Sequence, residues 1–256
     1  EIVKKYPVKL LHEGKQGSYA ARNLGIKNAK GEIVAFTDAD CIVDKMWLEQ
    51  MVKTFEDETT AGMGGEILAY NPKSIAERYS DKSDVLSQKD NFEYKFVNLK
   101  MPFIATANAA YKKEILDEIG HFDDSFLISG DIDLTWRVLM KGYRMVYEPK
   151  ALVFHRHRTT PYALFKQFLG YGKEHPKLFK KHNAIFNKRY AIEIFGYLSI
   201  PYNLMIRLPW RFLTAYQCNS KERQVYIVTP IFNALKILAL KLGWICGSIK
   251  YRVVFL

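Results

Sequence analysis

Ile33-Val34-Ala35-Phe36-Thr37-Asp38-Ala39-Asp40 is the stretch whose reading decides the fold. Four apolar residues, β-branched or aromatic at three positions, predict a short buried strand of a largely parallel sheet. Two carboxylates follow where that strand runs out. In open α/β sheets ligands bind beyond the carboxyl ends of strands. Asp-x-Asp placed there offers hard oxygen ligands for a divalent cation that holds phosphates in turn.

Working outward, Lys15 to Ala29 reads as a helix stopped by Gly31. Val8 to Leu11 reads as a strand, and Glu1 to Tyr6 as the end of a helix. The chain thus reads as opening inside an α/β domain, with residues expected before Glu1. Trp47 to Phe55 is an amphipathic helix with Trp47, Leu48, Met51, Val52 and Phe55 expected inward. Met63 to Ala69 and Phe103 to Tyr111 read as strands. Residues 74–100 read as polar, helical and solvent-facing. Lys112 to Ile119 and Asp131 to Lys141 read as helices closed by Gly120 and Gly142. Arg144 to Tyr147 and Ala151 to Phe154 read as two short strands. Alternation of strand and helix implies an α/β domain over residues 1–158.

Charge divides the chain at the same place. Residues 1–150 carry a net of −3, whereas residues 151–256 carry +14, with Glu174, Glu193 and Glu222 their only acids. Pro161 to Lys181 is amphipathic, and the basic region runs to Arg189. Two apolar stretches follow, near 190–214 and 225–248, but prolines, arginines and lysines interrupt both. A clean transmembrane helix needs about 20 apolar residues. In-plane or re-entrant helices are therefore expected over 159–256, with true spans or a buried helical subdomain as alternatives. A basic, apolar tail suits an anionic membrane surface. Basic residues interleaved with long apolar runs, without an RNA or DNA motif, argue against nucleic acid as the main partner. The three scattered cysteines form no zinc spacing and no disulfide framework.

Several segments in order resemble family 2 glycosyltransferases of the GT-A fold. Ala21-Arg22-Asn23-Leu24-Gly25 is similar to that family's Ala-Arg-Asn-x-Gly helix, and Thr37-Asp38-Ala39-Asp40 to its Asp-x-Asp. Ala107-Asn108-Ala109 resembles its Gly-Ala-Asn strand, and Gly120-His121-Phe122-Asp123 its Gly-Gly-Phe-Asp turn. Gly130-Asp131-Ile132-Asp133-Leu134-Thr135-Trp136-Arg137 resembles its Glu-Asp-x-Asp-Leu-x-x-Arg segment, with Gly130 where many members carry Glu. The resemblance covers residues 4–158. The family's first strand-helix-strand unit and the Gln-x-x-Arg-Trp motif of processive synthases are not seen.

The resemblance implies a metal-dependent, inverting sugar transfer from a UDP- or GDP-sugar to a lipid-linked or glycan acceptor at the cytoplasmic face of the cell membrane. It makes Asp131 the general base, although an aspartate at that helix start is also a natural N-cap. Asp40, Asp38 and His155 would hold Mg²⁺ or Mn²⁺, with Asp38 alternatively on the ribose. Arg22, Asn23, Asp38, Asn108 and Asp133 would contact substrate, Asp133 having the more structural part. Trp136 is expected to pack in the core. Two rival functions are a non-catalytic membrane scaffold and a basic nucleic-acid-binding module. A phosphatase of the Asp-x-Asp type needs Thr or Gly soon after the second aspartate, whereas Cys41-Ile42-Val43 follows here.

Overall fold

The computed structural model describes residues 2–83, 85–89, 102–183 and 194–255. The expected residues before Glu1, the far part of the polar 74–100 segment, the end of the basic region at Arg189 and the start of the 190–214 stretch lie outside them.

Helix α1 (Ser18–Asn28) leads into β1 (Ile33–Thr37), β2 (Cys41–Val43), α2 (Trp47–Thr54), β3 (Thr60–Ala69) and α3 (Ile75–Lys82). After these come β4 (Asn108–Lys112), α4 (Lys113–Ile119), α5 (Gly130–Met140) and β5 (Arg144–His155). The C-terminal part is helical: α6 (Pro161–Lys181), α7 (Ile194–Tyr202), a π-helical turn (Asn203–Arg207), α8 (Leu208–Thr214) and α9 (Ser220–Tyr251).

The five strands form one sheet in the order β1-β4-β3-β5-β2. The expectation of a largely parallel sheet is corrected: only β3 and β5 pair parallel, and the other three pairings are antiparallel. The reason is that β4 inserts between β1 and β3 running against both. Even so, β1, β3 and β5 all point the same way, so their carboxyl ends share one rim. The chain leaves β1 at one edge and enters β2 at the other, and the Asp38–Asp40 turn therefore crosses that rim.

Local chemistry explains the boundaries. Gly120 closes α4 at φ 85°, a left-handed cap that favours glycine. Ser74 and Glu77 form a reciprocal capping box at the start of α3. Thr160 caps α6 with Pro161 in its first turn. The two short strands expected over 144–154 are one strand, whose register against β3 slips between Gly65 and Ile67, beside Pro149. The expected strand start at Phe103 is displaced to Asn108, because the Gln88 side chain takes both the N–H and the C=O of Ala105. Val8 to Leu11 is not a strand; it is exposed, with no neighbouring ladder to join.

Both sheet faces are covered. Val34, Phe36, Tyr111, Leu116, Leu134 and Trp136 build the larger core. Trp47, Met51 and Phe55 of the α2 segment cover the other face with Met63 and Val153. Leu48 and Val52, expected inward, point to solvent at 60% and 55% exposure. Residues 75–82 are not purely solvent-facing either. Tyr79 of α3 stacks on Phe232 of α9 at 4.7 Å and donates to Asn233 Oδ1 at 2.8 Å.

Packing does not stop at residue 158. Leu178, Phe179, Trp244 and Phe255 belong to the same core as Trp136. Helix α9 is long and apolar enough over Glu222–Tyr251 to cross a membrane. Yet it lies along α6, joined by Trp244 Nε1 donating to His175 Nδ1 (2.9 Å) and Tyr251 Oη to Glu174 Oε1 (2.7 Å). Glycine makes the approach possible. A Cβ on Gly172 would stand 2.4 Å from the Leu240 carbonyl oxygen, and one on Gly243 2.6 Å from that of Leu169. Gly25 in α1 faces nothing within 4 Å. Gly172→Ala and Gly243→Ala are each expected to destabilise by about 1–3 kcal/mol, whereas Gly25→Ala stabilises by about 0.5–1 kcal/mol. Thermal melts of the three variants check the contrast.

Candidate active site

Everything that converges on the rim begins from Asp38. Its Oδ1 accepts from Arg22 Nη2 at 2.5 Å. The Arg22 guanidinium lies 5.2 Å from the centre of the Tyr19 ring, one turn earlier on α1. Tyr19 Oη in turn donates to Asp131 Oδ1 at 3.2 Å. Tyr19, stacked on Phe122 at 5.3 Å, is therefore the bridge between carboxylates 93 residues apart in sequence. This contact also explains Gly130. A Cβ at that position would meet the Tyr19 ring at 2.7 Å, so a side chain there and the Tyr19–Asp131 bond exclude one another.

Asp131 lies in the first turn of α5, just after Ser129, whose φ is 68°. Burial raises its pKa above the usual carboxylate value, against the opposing pull of Arg22, its neighbour's N–H and the Tyr19 hydroxyl. The raised value makes it a stronger proton acceptor than an exposed aspartate. Burial raises the pKa of Tyr171 of α6 against the hydrogen bond from Gln167, and the charges of Asp131, Arg158 and Asp38 also bear on it.

Asp40 faces His155 across the β2–β5 pairing, where Cys41 is opposite His155. His155 Nε2 is 3.5 Å from Asp40 Oδ1. Ligand atoms of Asp40, Cys41 and His155 all lie within 4.8 Å of one another. His155 is buried, and its Nδ1 has no hydrogen-bond partner. Burial lowers its pKa and pushes that of His157 down to about 4 with help from His155, leaving both rings neutral near pH 7. A carboxylate beside an orphaned neutral imidazole is a donor set that fits a divalent cation such as Mn²⁺.

Three residues expected to contact substrate are held by the protein itself. Asp133 is fully buried and turned into the protein, bound by Arg137 Nε (3.0 Å), Lys181 Nζ (2.7 Å) and His182 Nε2 (2.9 Å). Asn108 is fully buried as well. It accepts from Trp47 Nε1 at 2.8 Å and donates to the carbonyls of Glu66 and Ala151, tying β4 to α2, β3 and β5. Asn23 exchanges two hydrogen bonds with the backbone of Phe122. Asp133 and Asn108 are closed off from solvent, whereas Asn23 is half-buried and keeps a second amide N–H. Trp136 packs in the core as expected. Tyr19 carried no sequence signal for its contact with Asp131.

The family model described as glycosyl transferase family 2 matches residues 1–120. The chain is 30% identical over 161 residues to glycosyltransferase AglE of Haloferax volcanii, covering 62% of this chain and 51% of that protein. It is 27% identical over 162 residues to the O-antigen chain rhamnosyltransferase RfbN of Salmonella typhimurium, covering 60% and 51%. The chain thus spans about half the length of these curated relatives. Among solved structures, mannosyltransferase PcManGT from Pyrobaculum calidifontis, in complex with GDP-Man and Mn²⁺, superposes with a TM-score of 0.52 at 18% identity. That match covers 92% of this chain and 66% of the other, and it supports the GT-A-like fold.

The environment of Asp133 has a measurable consequence. Burial alone would raise its pKa, but His182, Lys181 and Arg137 outweigh burial and hold it below the model-peptide value of 3.8. A depressed carboxylate contributes stability that is complete above that ordinary value and lost as pH falls through the lower, folded-state one. Asp133→Ala is expected to cost about 3–5 kcal/mol near neutral pH, the scale of breaking a buried ion pair. It should also flatten the acid limb of the stability curve. Urea unfolding from pH 7 down to 2 checks both effects.

Proposed function

We propose that this chain carries the catalytic centre of an inverting glycosyltransferase that moves a sugar from a UDP- or GDP-linked donor to an acceptor hydroxyl. The observation that carries the reading is the convergence of Asp38, Asp40, Asp131 and His155 on one rim, joined through Arg22 and Tyr19. The names of the relatives and the nucleotide-sugar and Mn²⁺ of the solved neighbour support the same class of chemistry.

In this reading Asp40 and His155 hold the divalent cation, Mg²⁺ or Mn²⁺. The bound cation would offset negative charge growing on the leaving diphosphate. Arg22 adds a fixed positive charge on the same side. Its bond to Asp38 gives that carboxylate a partner until the donor arrives, and Asp38 then turns to the ribose or the ion. Asp131 accepts the proton of the acceptor hydroxyl while that oxygen bonds the anomeric carbon and the bond to the diphosphate oxygen breaks. One displacement inverts the configuration. Tyr19 aims the Asp131 carboxylate and leaves its second oxygen for the acceptor.

The acceptor side is read from the tail. A net charge of +14 over residues 151–256, with exposed aromatic and aliphatic side chains over 197–216, favours an anionic membrane surface and a lipid-linked or glycan acceptor at its cytoplasmic face. The docking of α9 along α6 favours helices lying in the interface over a span.

Nucleotide release from a panel of UDP- and GDP-sugars, assayed with Mn²⁺ and after chelation, tests the proposal on the full-length protein. Asp131→Asn and Asp40→Ala are each expected to lower turnover by at least about a hundredfold. Asp131→Asn should melt close to the wild type. Wild-type turnover in either variant would overturn the assignment.

A further inference from the structure

The segment from α7 to the start of α9 presents a surface unlike the rest of the chain. Met205, Trp210, Phe212, Leu213 and Tyr216 are 65–76% exposed. Contiguous apolar exposure of this kind marks an interaction surface. Within it lies a cleft of about 490 Å³ lined by Tyr202, Ile206, Arg207, Trp210, Arg211 and Tyr226. Two of the six lining residues are cations and none is an acid.

Arg207 and Arg211 are one helical turn apart and share a face. Arg211 is held in place: its Nη1 donates to the Tyr226 carbonyl at 3.0 Å and its guanidinium lies 4.6 Å from the Tyr226 ring centre. The Tyr226 hydroxyl is fixed by Thr214 at 3.0 Å. The charge of Arg207 bears unfavourably on Arg211. No carboxylate among the described residues pairs with either arginine, and no Asp or Glu occurs from Ile194 to Lys221. Glu222, the next acid along the chain, is paired with Lys82 at 2.7 Å. A fixed Arg211 guanidinium, with a second arginine lining the same cleft and no carboxylate beside them among the described residues, suits a phosphate, which accepts from both forks.

The surroundings select the source of that phosphate. A water-soluble anion gains nothing from an exposed Trp210, Phe212 and Leu213. Trp and Tyr beside arginine are the residues of the headgroup level of a bilayer, and a helix laid in that plane buries its apolar side among acyl chains. The apolar helix α9 contributes Tyr226 to the cleft near its start. We propose that Arg207 and Arg211 together grip the phosphate of an anionic membrane phospholipid, with Trp210 and its exposed neighbours set into the headgroup boundary. The site rests on the membrane-face reading above and gives that reading a specific headgroup contact.

Flotation of the full chain with phosphatidylcholine vesicles, with and without phosphatidylglycerol, tests it without any sugar donor. The wild type should float with the anionic vesicles, and R207Q/R211Q should lose at least about tenfold in apparent affinity. K27Q/K30Q removes the same charge from exposed lysines at the end of α1 and should stay within about twofold. Equal losses in the two double variants would reduce the cleft to diffuse attraction and overturn the proposal. Release of the wild type from vesicles by millimolar inorganic phosphate would make this a site for the free anion and overturn it too. A wild type that never floats would remove the membrane reading along with the cleft, and nucleotide release in detergent would still report sugar transfer separately. Should R207Q/R211Q melt early, phenylglyoxal modification of wild-type Arg211 decides. Protection by phosphatidylglycerol vesicles and not by phosphatidylcholine supports the site; equal modification in both refutes it.

Discussion

A buried carboxylate holds the two parts of this chain together. Asp133 has no exposure to water and is surrounded by Arg137 from its own helix and by Lys181 and His182 from the end of α6. An unpaired charge at that depth would cost several kcal/mol. The end of α6 therefore has to lie against the start of α5 whenever the chain is folded. Arg137 extends the constraint, because its other nitrogens donate to the carbonyls of Ile119 and His121, beside the turn that carries Phe122. Lys181 also reaches Asp123 at 2.7 Å. One ionic cluster thus fixes the start of α5, the turn after α4 and the end of α6.

The geometry around Asp131 depends on that cluster. Phe122, held by Asn23 and by the neighbouring Arg137 contacts, supports the Tyr19 ring, which lies on Gly130 and reaches Asp131. Two aspartates separated by one residue accordingly do opposite work. Asp133 spends its charge on protein cations, while Asp131 keeps a raised pKa because burial outweighs the help it receives. The N-terminal turn of a helix brings both about, since successive odd positions there point to different sides.

Much of this was legible in the chain, and the failures have physical causes. The strand before Asp38, the helices around Gly120 and Gly142 and the grouping of Asp38, Asp40, Asp131 and His155 follow from local pattern and motif order. Strand direction did not, because a run such as Ile33–Phe36 carries no information about which neighbour pairs with it. Asn108, Asn23 and Asp133 were read as ligand contacts because a motif shows that a polar residue matters without showing which way it faces. Tyr19 was missed because its partner is 112 residues away. Gly130 stood out only as a departure, and its cause is the same aromatic ring.

The tail was legible in composition and misleading in extent. Apolar length made α9 resemble a membrane helix, but Gly172, Gly243 and Gly247 bring it into backbone contact with α6. Trp244 and Phe255 then enter the core of the sheet domain. Apolar residues on α7, α8 and the outer side of α9 remain exposed. Since Lys181 ends α6 and His182 follows it, both in the Asp133 cluster, the helices that would meet a bilayer are packed on the helix that holds the start of α5 in place. Under the proposed function, orienting that outer surface on a membrane would also orient the rim that carries Asp131.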